Sequence, residues 1–402
     1  MGTNRLLTQP RLLFGKGGAI GVEESAGLVR ISLQGKRLRS RGVVIRMQQA
    51  LVDEFVELVS IDAESGDEGE IAAAVAGKLR VIGLEVEIDA AGNVIGRAGE
   101  GEPVILCAHL DRVKPGKGIR PVVEDGVIRS SGDTILAADD VAGIVAILAG
   151  LRRAKEALGA LPAVEAIFTV GEETHLAGSR RLDYGAVRGK MAYVFDASRP
   201  VGVVVTSSPT HVGITARVMG QAAHAAVNPQ DGVSAIQAAA RGIVRLPFGW
   251  VDDHTTANVG MISGGTATNV VCDDVLMRAE VRSLDHDRAV ALAEHFANVI
   301  SLEAATVGAR ANVTTEVEYR GYRIPSDEPV VRRVVRAIEA MGLEATIESS
   351  MGGSDGNIFN ANGIASVVLG IGCEAVHSTR ERIAISQLEA AARLAQSLLV
   401  TA

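Results

Sequence analysis

Val104-Ile105-Leu106-Cys107-Ala108-His109-Leu110-Asp111 is an apolar run that ends in an imidazole and a carboxylate. A near-continuous apolar run of this length is the pattern of a strand buried on both faces of a parallel sheet. Residues i and i+2 of a strand point to the same side, so His109 and Asp111 emerge together at its carboxyl end. Open α/β sheets place their ligand sites there. A neutral imidazole is a common zinc ligand, and a carboxylate beside it fixes its tautomer and raises its basicity. A lone His-x-Asp pair carries little weight, because short motifs recur by chance in structural roles. The rest of the chain decides.

Two further apolar runs end in the same way. Ala166 to Val170 leads into Gly171-Glu172-Glu173, and Ala192 to Phe195 leads into Asp196. Ile135 to Asp140 precedes an apolar helix, Val141 to Leu151, that must be buried on most sides. Three strands finishing in acids or a histidine are expected to converge on one crevice. Helical periodicity marks the segment from Gln48 and another from about Glu70 to Val81, while Leu84 to Ile88 and Asn93 to Gly96 read as strands. Val127 to Ser130 reads as one arm of a hairpin over the site.

From about Thr210 to Glu318 the pattern changes to longer amphipathic strands with two helices. Strands are expected at Val212 to Val218, Asn258 to Ile262, Val275 to Arg282 and Ala311 to Val317, and helices at Val233 to Arg245 and Asp287 to Thr306. This β-α-β-β-α-β order predicts a ferredoxin-like domain inserted in a larger one. The larger domain resumes with a helix from Glu328 to Met341, strands at Ala345 to Ser349 and Ile364 to Leu369, and a last helix from about Ser386.

Composition narrows the function classes. The chain of 402 residues is long enough for two domains, and it has no uninterrupted apolar stretch near the ~18 residues of a membrane helix. Cys107, Cys272 and Cys373 stand singly, so neither a disulfide framework nor a Cys-rich zinc site is indicated, and a cytoplasmic location fits. Residues 1–46 carry nine Lys and Arg against two acids, whereas residues 47–402 carry a net charge of -15. An acidic body repels phosphate backbones, which excludes nucleic acid as its partner. The basic extension is expected to be a flexible arm or to precede a true start at Met47; it only faintly resembles a transit peptide.

The polar residues at strand ends and loops are His109, Asp111, Asp139, Asp140, Glu172, Glu173, Asp196 and His377. This mixed nitrogen and oxygen set suits zinc, cobalt or manganese and is too large for one tetrahedral ion. Two ions sharing a carboxylate, ~3.5 to 4 Å apart, would use it.

The motifs CAHLDRVKPGKGI, TILAADDVAGI, FTVGEETHLAGS, VFDAS, GQAAHAAVNPQDGVSAI, GGTATNVV, AEVRSLD, GGSDGNIFNANGI and VHSTRE follow one another between residues 107 and 381. With them the chain resembles the dinuclear zinc peptidases that include peptidase T, glutamate carboxypeptidase, succinyl-diaminopimelate desuccinylase and aminoacylase, and most of all the peptidase T-like subgroup. The resemblance runs from about Gln48 to the end. It implies an α/β catalytic domain with a central, mostly parallel sheet at 47–209 and 319–402, and a lid and dimerisation domain at 210–318. It further implies that His109 and Asp196 bind one metal, Glu173 and His377 the other, and that Asp139 bridges both. Asp111 would orient His109, and Glu172 would be the general base. Members of the family often read Asp-Asp-Lys here, with a cis peptide after the first Asp, whereas this chain has Val141 in place of the Lys. Asp140 therefore stays open as the alternative bridge. His175, another departure, reads as a solvated loop residue.

In the inserted domain the resemblance makes His224 a lid residue that reaches substrate across the interface of a homodimer. Asn269 and Arg282 would hold substrate, with Gly353 and Ser354 lining its pocket. The implied activity is hydrolysis of an amide bond in a short peptide, as an aminopeptidase on tripeptides or similar. A carboxypeptidase, desuccinylase or N-deacylase on the same scaffold is the alternative. Two more distant readings remain. Gly352-Gly353-Ser354-Asp355-Gly356 fits the G-x-S-x-G elbow of serine hydrolases, but Glu374 and His377 lie too close together in sequence to complete it. A non-catalytic binding protein is disfavoured because every ligand position and the base are filled.

Overall fold

Val104–His109 forms a strand with all six residues buried, paired in parallel with Val164–Thr169 on one side and Met191–Ala197 on the other. In this computed structural model side chains are described for residues 47–401, preceded by the backbone of Gly21–Ser25, Leu28–Leu33, Lys36–Leu38 and the start of the helix Ser40–Val59. The chain divides into two compact units, Met1–Asp53 and Glu54–Ala402. In the first, three short strands pair as an antiparallel meander. The expectation of a flexible arm or an upstream start otherwise falls outside the described residues.

In the second unit Ala365–Gly370 joins Met191–Ala197 in parallel, giving four adjacent strands that run the same way. Antiparallel strands flank them, Val94–Ala98 and Glu85–Ile88 at one side, Val203–Ser208 and Tyr322–Arg323 at the other, with Thr346–Ser349 completing nine strands. Ile105, Cys107, Ile167, Val194 and Val368 pack with Phe359 in one buried cluster. The helix Ala138–Leu158 is buried from Val141 to Leu151 and packs on the helix Ile385–Val400 as well as on the sheet. Gly143 allows this approach, since a Cβ there would collide with the Phe195 carbonyl oxygen. Because the four central strands share a direction, His109, the turn after Thr169 and Asp196 come out at one edge.

A second sheet occupies Thr210 to Tyr319. Its strands Thr255–Gly264, Asp274–Ser283, Thr210–Met219 and Arg310–Tyr319 lie side by side in that order, all antiparallel. This is the expected ferredoxin-like order, with one extra edge strand, Gly249–Asp252, that the sequence reading missed. Val212, Ile214, Ala216 and Val218 alternate inward and meet Leu292, Phe296 and Ile300 of the helix His286–Thr306. Asp285 starts that helix by accepting the Arg288 N–H at 3.1 Å. Val127–Ser130 pairs with Pro121–Glu124 as the expected hairpin. Among the described residues no helix is long and apolar enough to cross a membrane.

Candidate metal centre

His109 is buried and held from behind. Its Nδ1 lies 3.0 Å from the carbonyl oxygen of Asp111 and 3.4 Å from the Asp111 carboxylate. A proton on Nδ1 satisfies this contact and leaves the Nε2 lone pair facing the crevice. There Nε2 is 3.1 Å from Asp139 Oδ1 and 3.7 Å from Asp196 Oδ1. The second histidine approaches from the opposite side: His377 Nε2 is 2.8 Å from Glu173 Oε1 and 3.4 Å from Asp139 Oδ2. Asp139 thus turns one oxygen toward each imidazole.

The neighbouring carboxylates divide their work by geometry. Asp140 is buried, accepting the main-chain N–H of His109 at 3.0 Å on one oxygen and that of Gly143 at 3.1 Å on the other. Its two oxygens serve the backbone although it lies within ligand range of His109 and Asp196; Asp139 is the residue between the imidazoles. The peptide between Asp139 and Asp140 is cis, as the resemblance implies, even with Val141 next in line. Asp111 does more than face His109. It accepts N–H groups from Glu172 at 2.9 Å and Glu173 at 3.2 Å, and the Ser65 hydroxyl at 2.7 Å. Glu68 holds the same turn by accepting the Gly171 N–H at 3.1 Å. Ser65 and Glu68 are not singled out by the sequence analysis, and their partners here are distant in sequence.

The electrostatics of the cluster suit a cation. Burial pushes the carboxyl groups of Glu172 and Asp196 well above the usual range; nearby acids add to this, and His109 opposes it. The His377 imidazole is raised to about 10 by Asp139 and Glu173, with burial opposing. Buried carboxylates at this density resist sharing a dry site unless positive charge is supplied. His109, Asp139 and Glu173 place one ligand atom each within 4.8 Å of one another, as do His109, Asp140 and Asp196. Two imidazole nitrogens and carboxylate oxygens at this spacing fit divalent ions of the zinc, cobalt and manganese class.

A cavity of about 200 Å³ is lined by Asp139, Glu172, Glu173, Asp196 and His377 of the cluster and also by Ser350, Gly353 and Ser354. Arg199, absent from the sequence reading, stands in its lining and pairs with Glu348 at 3.2 Å. Ser354 caps the helix Asp355–Ala361, its hydroxyl accepting the Gly356 N–H at 3.2 Å. Among the described residues no imidazole is hydrogen-bonded to the Ser354 hydroxyl, so the serine-hydrolase reading lacks its base here. Arg282 lies behind the glycine loop. Its Nη1 reaches the Tyr319 hydroxyl at 3.3 Å and the Met351 carbonyl at 3.4 Å, and Nη2 pairs with Glu280 at 3.1 Å. His224 and Asn269 are exposed and outside this cavity; His224 Nδ1 accepts the N–H groups of Ala226 and Val227 at 3.2 Å each. His175 is exposed, 3.7 Å from Glu318, and takes no part in the cluster.

The protein YqjE of Bacillus subtilis (strain 168) is 34% identical over 363 residues, which span 88% of this chain and 98% of that protein. Aminopeptidase PepT from Bacillus cereus ATCC 10987 superposes with a TM-score of 0.80 at 37% identity, covering 88% of this chain and 98% of the other. A tripeptidase from Staphylococcus aureus subsp. aureus Mu50 gives 0.84 at 38% identity, with 88% and 97% covered. Residues 105–401 match the family described as Peptidase family M20/M25/M40, and with the relatives at this identity and coverage the chain belongs to that family of peptidases.

Proposed function

We propose that this peptidase removes residues from the amino end of short peptides, tripeptides among them, using two divalent ions, zinc in the first place. His109 and Asp196 would hold one ion, Glu173 and His377 the other, and Asp139 both. The observation that carries this reading is the position of Asp139, whose Oδ1 and Oδ2 face His109 and His377 at 3.1 and 3.4 Å. When bound, the ions polarise the scissile carbonyl and make water acidic enough to react near neutral pH.

Glu172 sits in the same cavity with no assigned ion, and its carboxyl is raised by burial and by Asp196. A carboxylate of raised pKa takes a proton from the attacking water and returns it to the leaving amine. Asp111 would fix the base and a metal ligand together, because it faces the His109 ring and accepts the Glu172 N–H. Ser350, Gly353 and Ser354 would line the bound peptide, and Arg282 would steady their loop through Met351 and Tyr319. His224 would complete the site from a second subunit of a homodimer, with Asn269 beside its turn. Three buried, unpaired cysteines fit a cytoplasmic setting.

The aminopeptidase reading rests on the two solved relatives above, whose names describe an aminopeptidase and a tripeptidase. Its test is a panel of di-, tri- and tetrapeptides with free or acetylated amino ends and free or amidated carboxyl ends, assayed with zinc, cobalt or manganese. Loss of turnover on acetylation alone is expected. Turnover of acetylated substrates would instead support the deacylase or desuccinylase alternative, and release from the carboxyl end would support a carboxypeptidase.

A further inference from the structure

Glu381 lies four residues after His377 and is 1% exposed, and its carboxylate is bonded to the segment that leads into Asp139. Its Oε2 accepts the main-chain N–H groups of Leu136 at 2.9 Å and Ala137 at 2.8 Å. Its Oε1 accepts that of Asp139 at 2.9 Å. One carboxylate therefore satisfies three amides in the turn that delivers Asp139. That turn needs holding, because Ala137 has φ +59°, a left-handed conformation that an alanine seldom adopts. His377 has φ +58°, so both segments tied by Glu381 carry a left-handed residue at the centre.

We infer that Glu381 is a positioning residue that couples the two halves of the metal centre, locking the Asp139 turn to the His377 segment so that both ions meet Asp139 in one geometry. The inference rests on the ligand assignment proposed above. Glutamine at 381 would keep the shape but turn an NH₂ toward at least one backbone N–H, leaving donor against donor. Groups that hold metal ligands in place change affinity by roughly 10- to 100-fold when removed. Because Asp139 faces both imidazoles, the loss should appear at both ions.

Glu165 is the internal control. It is likewise buried and accepts two backbone amides, those of Arg188 at 2.9 Å and Gly189 at 2.8 Å, but it lies at the amino end of its strand, away from the centre.

The experiment is a cobalt(II) titration of the chelator-stripped full chain, followed by visible absorption, for wild type, Glu381→Gln and Glu165→Gln. Two cobalt ions per wild-type chain, about 10- to 100-fold weaker uptake of both by Glu381→Gln and unchanged affinity in Glu165→Gln are expected. Wild-type-like titration by Glu381→Gln, or equal weakening by Glu165→Gln, overturns the coupling role. Failure of the wild type to take up two ions would instead overturn the ligand assignment itself. Should Glu381→Gln not fold, hydrogen exchange on the wild type decides. The amides of Leu136, Ala137 and Asp139 should exchange at least about tenfold more slowly than that of exposed Asp133, and equal rates overturn the clamp.

Discussion

The Asp111 carboxylate accepts the main-chain N–H of Glu172 at 2.9 Å while lying 3.4 Å from His109 Nδ1, so one residue sets the position of both an imidazole and an acid. Asparagine there would present its NH₂ either to the Glu172 amide or to the Glu173 amide and the Ser65 hydroxyl. Asp111→Asn should lower kcat/KM by about 10- to 100-fold and weaken metal retention on dialysis. Unchanged values for both would leave Asp111 without a role in the centre.

Glu172 and Glu173 are adjacent but should fail differently. Glu172→Gln should lose roughly 10² to 10⁴ in turnover with metal content intact, the usual contribution of a positioned base. Glu173→Gln, having lost the carboxylate charge beside His377 Nε2 at 2.8 Å, should lose metal first. Metal analysis beside steady-state kinetics separates the two, and exchanged phenotypes would reverse the assignment within the pair.

Much of this centre was legible because chemistry and topology coincide. Val104 to Asp111 reads as a buried parallel strand since nothing polar interrupts it, and the direction shared with its neighbours puts His109, Glu172, Glu173 and Asp196 at one edge. What was not legible depends on partners far along the chain. Glu381 and Leu136 are 245 residues apart, and nothing local to either announces the bond. The partners of Ser65 and Glu68, Asp111 and Gly171, are likewise distant in sequence. The strand Val203–Ser208 has no counterpart in the sequence analysis, although all six of its residues are buried; its polar half, Thr206, Ser207 and Ser208, breaks the apolar run that marks the other buried strands. Gly249–Asp252 was missed because it is a short edge strand beginning with glycine and carrying an exposed Trp250.

Ser354 offers a clean separation of stability from chemistry. As the N-cap of Asp355–Ala361 it should cost about 0.5–2 kcal/mol of stability when changed to alanine. Turnover should fall by no more than about tenfold, whereas loss of a serine nucleophile costs orders of magnitude more. Prolonged chelation should abolish activity, and added zinc, cobalt or manganese should restore it. Activity that survives chelation and disappears in Ser354→Ala would return the serine mechanism.

Away from the centre, Glu280 makes a prediction about pH. His211 at 3.2 Å lowers its pKa to about 2 from 4.5, burial opposes, and Arg282 adds to the lowering. A carboxylate depressed in the folded state adds stability above its unfolded pKa, and that stability drains away as pH falls from about 4.5 through about 2. Glu280→Gln should therefore flatten the denaturant midpoint against pH across this window. An unchanged slope would mean that the ion pairs do not persist in solution.

The remaining prediction concerns His224. With Nδ1 occupied by two backbone amides, its Nε2 is free to donate to an acceptor beyond its own turn, but the residue stands outside the cavity of its own chain. The proposed homodimer would give it a route into a partner's site, and a symmetric dimer makes the exchange reciprocal. Loss of one donor to a developing oxyanion costs roughly 10² to 10³ in turnover. His224→Ala should fall by that amount with metals retained. Mixed with Glu172→Gln under conditions that exchange subunits, each mutant lends what the other lacks, so one of the two sites in every heterodimer regains both groups. With random exchange half of the dimers are mixed, and activity should rise to about a quarter of the wild-type value. Full activity in a monomer at assay concentration, or no recovery after exchange verified by differential labelling, would show that His224 does not act across a dimer.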